Sequence, residues 1–196
     1  MKTLLLTGFE PFLEFPINPT EKIVKELDCT CVGSYQIKGL LLPVDYQEAG
    51  KRILEEIKEQ NPDAVLSLGL AAGRSTITPE RIAINCRDGA PDNNGVVLND
   101  APIIEDGPDG YFSTLPIRKF VNALHENGFP ARISNSAGTY LCNNVMYVLH
   151  ECQDRPVGFV HIPASHELVL DGKKELPSWS HRDLLEAIKV MIRTIE

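Results

Sequence analysis

Short runs of Leu, Val and Ile alternate along the chain with amphipathic stretches of roughly 10 to 15 residues, the pattern of strands and crossover helices in a parallel sheet covered on both faces. The runs place strands near residues 2–8, 35–43, 64–68, 82–85, 131–135 and 157–162. Between the first two, Asn18 followed by Pro19 reads as an N-cap with a proline in the first turn, and Ile23, Val24 and Leu27 mark one apolar face. Tyr46 to Gln60 carries Ala49, Ile53 and Ile57 four apart among charged residues. Pro116 to Asn127 sets Ile117, Phe120, Val121 and Leu124 on one side, with Gly128 as a C-terminal stop. A last helix spans 180–195, where Ser180 stands as a cap three residues before Asp183, and Leu184, Ile188, Met191 and Ile195 follow. The fold class that results is α/β: a single-domain, three-layer α/β/α sandwich with a mostly parallel twisted central sheet, occupying residues 1–196.

Residues 86–112 break the alternation. CRDGAPDNNGVVLNDAPIIEDGPDGYF is dense in Gly, Pro, Asp and Asn and has no helical period, so it reads as a long loop with a short hairpin at 95–97 and 102–104. Loops of that length in compact domains are commonly functional, which places this one over a site or at a subunit contact.

Composition narrows the classes of partner. A chain of 196 residues buries about 70% of its unfolded surface on folding and needs neither disulfides nor a structural metal. No apolar run approaches the roughly 18 residues of a membrane span, and the apolar part of MKTLLLTGFEPF is too short for a secretory signal, so it is read as the first strand. Five cysteines, an odd number without paired metal-ligand spacing, fit free thiols in a reducing cytoplasm. A net charge of −8 without a basic cluster argues against nucleic acid and leaves small or neutral ligands.

In open α/β sheets ligands gather at the carboxyl ends of the parallel strands. Those ends read TGFEPF, LGLAAGR, SNSAG leading to Cys142, and VGFVHIP with His161; Glu80 lies in ITPERIAIN on the approach to the fourth strand. A cysteine at a helix start gains from backbone N–H groups and the macrodipole, which favour thiolate. His161 closes an apolar run, whereas His125, His150 and His181 fall in helical segments and His166 remains a rival in a loop. A carboxylate such as Glu80 can fix the tautomer of a catalytic histidine. Each residue also has a plain structural reading: a small core thiol, a hydrogen-bonded strand-end histidine, and a surface ion pair between Glu80 and Arg81.

TGFEPF followed by NPT, GLAAGR followed by ERIAIN, SNSAGTYLCN, and GFVHIP together resemble the pyroglutamyl peptidase I family of cysteine peptidases, in the same order and across nearly the whole chain. The resemblance implies a Glu/Cys/His triad at Glu80, Cys142 and His161, no cofactor or metal, removal of N-terminal 5-oxoproline from peptides through a thioester, and a homotetramer. For such a substrate Phe9 and Phe12 offer flat apolar surface and Asn18 a polar contact, with Glu10 facing away from the ring. By resemblance Leu70, Tyr140 and Leu141 complete the pocket. The N–H of Cys142 is the first candidate oxyanion donor, and the turn from Gly69 to Arg74 the second. The chain departs from the pattern in three places: Ala90 precedes Pro91 where an arginine is usual, ASHELVL follows GFVHIP, and the connection from His150 to Val157 is short. Two alternatives stand beside this reading. One is a phosphorylase-like or amidohydrolase enzyme acting on a nucleoside or small amide, with Arg74 in an anion-binding turn; the other is a catalytically silent binding protein of the same fold.

Overall fold

The computed structural model describes residues 1–171 and 175–195. Its main sheet has six strands: β1 (Lys2–Phe9), β2 (Cys31–Val32), β3 (Tyr35–Leu42), β4 (Ala64–Leu70), β5 (Thr78–Pro79) and, later in the chain, β8 (Val157–Ile162), in the order β2-β3-β1-β4-β8-β5. The four central strands β3, β1, β4 and β8 are parallel, and the short edge strands β2 and β5 run antiparallel to their neighbours. The helices are α1 (Pro19–Leu27), α2 (Glu48–Gln60), α3 (Ile117–Glu126), α4 (Leu141–Val148), α5 (His166–Asp171) and α6 (His181–Arg193).

Alternation along the strands divides the core. Leu4, Leu6, Leu66, Leu68, Val160 and Ile162 pack with Ile23, Phe120 and Ile188 of α1, α3 and α6. Leu5, Val65, Val157 and Phe159 point the other way, against Ile53 and Ile57 of α2 and Val145 and Met146 of α4. The sheet is thus sandwiched between two helical layers, as the hydrophobic pattern predicts. Asn18 caps α1, its side chain accepting from the N–H of Thr20, and Ser180 caps α6 by accepting from that of Asp183. Gly128, at φ +79, turns the chain out of α3.

Four expectations are corrected. Residues 131–135 form no strand; they make only the parallel bridges Ile77↔Ala131 and Glu80↔Ser134, because the segment they face is itself short and Pro79 offers no N–H to a ladder. The apolar run near 82–85 is β6 (Ile82–Ile84), which leaves the main sheet and pairs antiparallel with β7 (Gly110–Phe112). That pairing closes the long loop at its base, and the hairpin expected at 95–97 and 102–104 is absent; Arg87 bridges Ala101 instead, while Asp92 gathers the N–H groups of Asn94 and Val96 at 2.9 Å each. His166 starts α5 rather than lying in a loop, next to the small parallel pair β9 (Ala164–Ser165) and β10 (Ser178–Trp179).

Candidate active site

The face of the sheet under α4 ends in small and polar side chains. Register aligns Thr7 with Ser67 and Gly69 with His161, and the hydroxyls of Thr7 and Ser67 bond at 2.9 Å. Gly69 leaves room for sulfur. A Cβ at that position would lie 2.8 Å from Cys142 Sγ and 2.7 Å from Phe159 Cε1, so the thiol rests directly on the backbone of β4. Neighbouring strands stand about 4.8 Å apart, and the register gives His161, on the strand next to Gly69, the same face of the sheet as that thiol. Phe159, two residues earlier on β8, flanks the ring with centroids 5.1 Å apart.

Cys142 is the second residue of α4. Two buried asparagines immediately after it hold this helix start in place. Asn143 accepts from the N–H of Ile84 at 2.9 Å and donates to the carbonyls of Ile84 and Cys86. Asn144 donates to Tyr46 O and accepts from Arg87 Nε at 2.9 Å. The N–H groups of a first helical turn lack intrahelical partners, and that of Cys142 acts to lower the pKa of its own thiol. In the turn after β4 the N–H groups of Ala71 and Arg74 are already bonded, to Ile162 O and Ala71 O, so neither supplies the second oxyanion donor.

Glu80 is fully buried between β5 and β6. Its Oε1 meets His161 Nδ1 at 2.7 Å and accepts from Arg74 Nη1 at 2.8 Å. A surface pair with Arg81 is therefore excluded; Arg81 donates to Asn135 instead. Burial alone would raise the Glu80 pKa, but the hydrogen bond and charge of His161, the Ser134 hydroxyl and Arg74 outweigh it and hold the carboxyl below its usual range. An ionised Glu80 accepts, so Nδ1 carries the proton and Nε2 is left as the base. His166, the rival, bonds Ser178 Oγ at 2.9 Å, away from this cluster.

The thiol departs from expectation. Burial, and after it the charge of Glu80, push the Cys142 pKa up to about 12, against smaller opposing contributions from Arg74 and the helix-start N–H. The helix terminus acts in the direction expected of it but is outweighed, so the resting form near neutral pH is the thiol.

Beside Cys142 a cleft enclosing about 260 Å³, open solvent at its mouth included, is lined by Phe9, Phe12, Asn18, Val44, Leu70, Tyr140, Leu141 and the cysteine itself. All six side chains expected around a small ring are there, and Glu10 is not among the lining residues. The walls are aromatic: Phe12 lies 6.4 Å from Tyr140, which meets Tyr46 edge-on at 5.5 Å. Asn18 lines the cleft, yet its oxygen is taken by Thr20, whose hydroxyl in turn accepts from Phe9 N at 3.0 Å, and its amide donates to Glu10 O at 3.1 Å. Its main work is to hold the TGFEPF turn. The long loop packs along the rim, where Tyr140 Oη donates to Pro91 O at 2.9 Å and Asn93 Nδ2 to Pro11 O at 3.0 Å.

Two residues escaped sequence reasoning. Val44 follows β3 as an unremarkable apolar residue, and only the fold brings it to the cleft. Arg74 was visible as a cation in a strand-end turn; the clue to its role was that a buried carboxylate needs a counter-charge. With Arg74 committed to Glu80 and Thr78, the anion-binding turn that a phosphorylase-like reading needs has lost its cation.

The chain is similar over its whole length to known peptidases. The family model described as pyroglutamyl peptidase matches residues 1–196. The pyrrolidone-carboxylate peptidase of Oceanobacillus iheyensis is 52% identical, with 100% of both chains covered, and that of Pyrococcus furiosus is 46% identical over 96% of this chain and 95% of its own. Among solved structures, the pyrrolidone carboxyl peptidase from Thermococcus litoralis superposes with a TM-score of 0.94 at 40% identity, covering 100% of this chain and 93% of that one. A mutant pyrrolidone carboxyl peptidase from P. furiosus gives 0.94 at 44% identity, over 98% and 97%.

Proposed function

The chain belongs to the pyroglutamyl peptidase family, and on that premise we propose that Cys142, His161 and Glu80 carry the family's reaction in it. The activity is that of a pyroglutamyl-peptidase I, a cysteine exopeptidase that hydrolyses the bond after an N-terminal 5-oxoproline. The observation that carries the residue assignment is the line from Glu80 Oε1 to His161 Nδ1 at 2.7 Å, next to a sulfur seated on Gly69 and facing an apolar cleft.

Because the thiol is the resting form, the proton must leave sulfur as the new bond forms. His161 Nε2 takes it while Sγ attacks the 5-oxoprolyl carbonyl carbon, and Glu80 holds the resulting imidazolium. The carbonyl electrons move to oxygen, which lies toward the N–H of Cys142 at the positive end of α4. Collapse breaks the carbon–nitrogen bond, and His161 returns the proton to the departing amine, leaving a thioester. Water, deprotonated by the same nitrogen, attacks the thioester and releases 5-oxoproline with the thiol restored. The lactam ring carries no ammonium group, which suits a cleft of aromatic and aliphatic walls. An ordinary aminopeptidase would need an acidic anchor for a free amine.

The proposal extends to the whole chain as one catalytic domain, acting in the cytoplasm as a homotetramer. No helix among the described residues is long and apolar enough to cross a membrane. Phe112 and Ile84, exposed on the β6–β7 pair, offer apolar surface to another copy. Turnover of a pyroglutamyl-coumarin amide by wild type and not by Cys142→Ala tests the catalytic assignment, and sedimentation analysis tests the assembly.

A further inference from the structure

The turn after β4 contributes a cation that the triad, as a set of three residues, does not explain. Arg74 Nη1 donates both to Thr78 Oγ1 at 2.6 Å and to Glu80 Oε1 at 2.8 Å. It therefore reaches the same carboxylate oxygen that binds His161 Nδ1. Thr78 is the register partner of His161 across β5 and β8, so a single guanidinium nitrogen ties the carboxylate to the strand beside the histidine. The other oxygen, Oε2, is buried and accepts no hydrogen bond among the described residues. The Ser134 hydroxyl, which donates to Ser136 O at 3.1 Å, is the neighbour able to rotate toward it.

We propose that Arg74 is a positioning residue of the triad, whose guanidinium keeps the buried Glu80 carboxylate charged and fixed in the place from which it orients His161. The inference rests on the assignment of Glu80 as the partner of His161.

Two physical arguments carry it. First, a carboxylate withdrawn from water and left without a counter-charge takes up a proton rather than stay ionised, and a protonated Glu80 cannot stabilise an imidazolium. While His161 is neutral, Arg74 is the only cation bonded to Glu80 among the described residues. Second, the charge count favours it. At rest Glu80 and Arg74 cancel; at the tetrahedral stage oxyanion and imidazolium form together, and the site stays neutral throughout. Removing the guanidinium breaks that balance: Glu80 either takes up a proton and no longer supports the imidazolium, or stays ionised as an uncompensated negative charge beside the forming oxyanion. The titratable and charged groups around Glu80 are His161 from β8, Arg74 from the turn and Cys142 from α4, while Arg81 points to Asn135.

The test measures kcat and KM for a pyroglutamyl-aminomethylcoumarin reporter from about pH 5.5 to 9 in wild type, Arg74→Met, Arg74→Lys and Glu80→Ala, with a melting temperature for each. For Arg74→Met the expected result is a kcat lowered roughly 10- to 100-fold near pH 6, the scale of an acid–base contribution, recovering as pH rises because the acid limb has moved upward. KM should hold within about twofold, since Arg74 does not line the cleft. Arg74→Lys, which keeps the charge, should return most of the loss near pH 6. A folded Arg74→Met with the wild-type profile overturns the proposal, and so does a loss of equal size at every pH that lysine does not restore. If Arg74→Met fails to fold, Arg74→Gln carries the same test with the same expected shift. An unchanged rate in Glu80→Ala would overturn the triad assignment itself; an impaired Glu80→Ala beside a normal Arg74→Met would overturn only the role of Arg74.

Discussion

Gly69→Ala places a methyl group where the thiol now rests. The added carbon would stand 2.8 Å from Cys142 Sγ and 2.7 and 2.8 Å from two ring carbons of Phe159. Ordinary contacts between such atoms need about 3.5 Å or more, so both neighbours must retreat by roughly 0.7 Å. Phe159 is fully buried in the core shared with α2 and α4, and overpacking of that kind costs about 1–3 kcal/mol. Cys142 is less enclosed and yields more readily, which lifts Sγ off β4 and away from its alignment with His161. A displacement near 1 Å at a reacting atom costs on the order of 100-fold in rate. Steady-state turnover of the pyroglutamyl-coumarin reporter and a thermal melt read the two effects separately. The double variant Gly69→Ala/Phe159→Leu gives the ring side room, and it should regain stability without regaining turnover. A folded Gly69→Ala enzyme with kcat within about threefold of wild type would refute the claim that the sulfur's seat on Gly69 sets its reactive position.

The raised Cys142 pKa predicts that alkylation by iodoacetamide is slow near neutral pH and climbs about tenfold per pH unit up to at least pH 9, since only the thiolate reacts; a rate that is already flat between pH 6 and 8 would show a preformed thiolate. Glu80 has a lowered folded pKa, so its ionised form stabilises the fold above the ordinary carboxylate range, and that contribution is lost as pH falls through the folded value. Acid titration of wild type against Glu80→Gln should show the pH dependence of stability reduced in the variant, and parallel curves would contradict it. Phe12→Ala, which opens one wall of the cleft, should raise KM for the pyroglutamyl reporter about tenfold or more with a smaller change in kcat; an unchanged KM would remove Phe12 from the pocket. Asn18→Ala should lower stability by roughly 0.5–2 kcal/mol through loss of the α1 cap, read as a shift in urea midpoint.

How far the sequence could be read depended on whether a feature was local or shared between distant segments. Asn18 and Ser180 announce helix starts through chemistry confined to a few residues, and both caps form as read. The strand ends were legible because period-two alternation and the parallel topology alone send Gly69 and His161 to one face. Partner choice was not legible. Ile82–Ile84 looks like any interior strand, and nothing local says that residues 110–112 return to pair with it. The run at 131–135 has the right residues for a strand, but its partner breaks off at a proline. For the site, the quoted motifs picked out Glu80, Cys142 and His161, which the fold gathers at one end of the sheet, and six residues that line the cleft beside Cys142. The state of the thiol was misread, because a helix terminus is visible in sequence whereas the burial that outweighs it is a property of the assembled fold. The pairing of Arg74 with the buried Glu80 is likewise a property of the assembled fold, whereas the sequence offers Arg74 only as the cation of an anion-binding turn in the phosphorylase-like alternative.

In the proposed reaction Cys142 carries the acyl group. Mixing the enzyme with a pyroglutamyl ester of a good leaving group, quenching in acid and mapping the protein by mass spectrometry tests it directly. The expected result is one added pyroglutamyl group on the peptide containing Cys142, lost on treatment with hydroxylamine as a thioester is, and neither adduct nor turnover in Cys142→Ala. Turnover surviving in Cys142→Ala, or an adduct on any other residue, would contradict it.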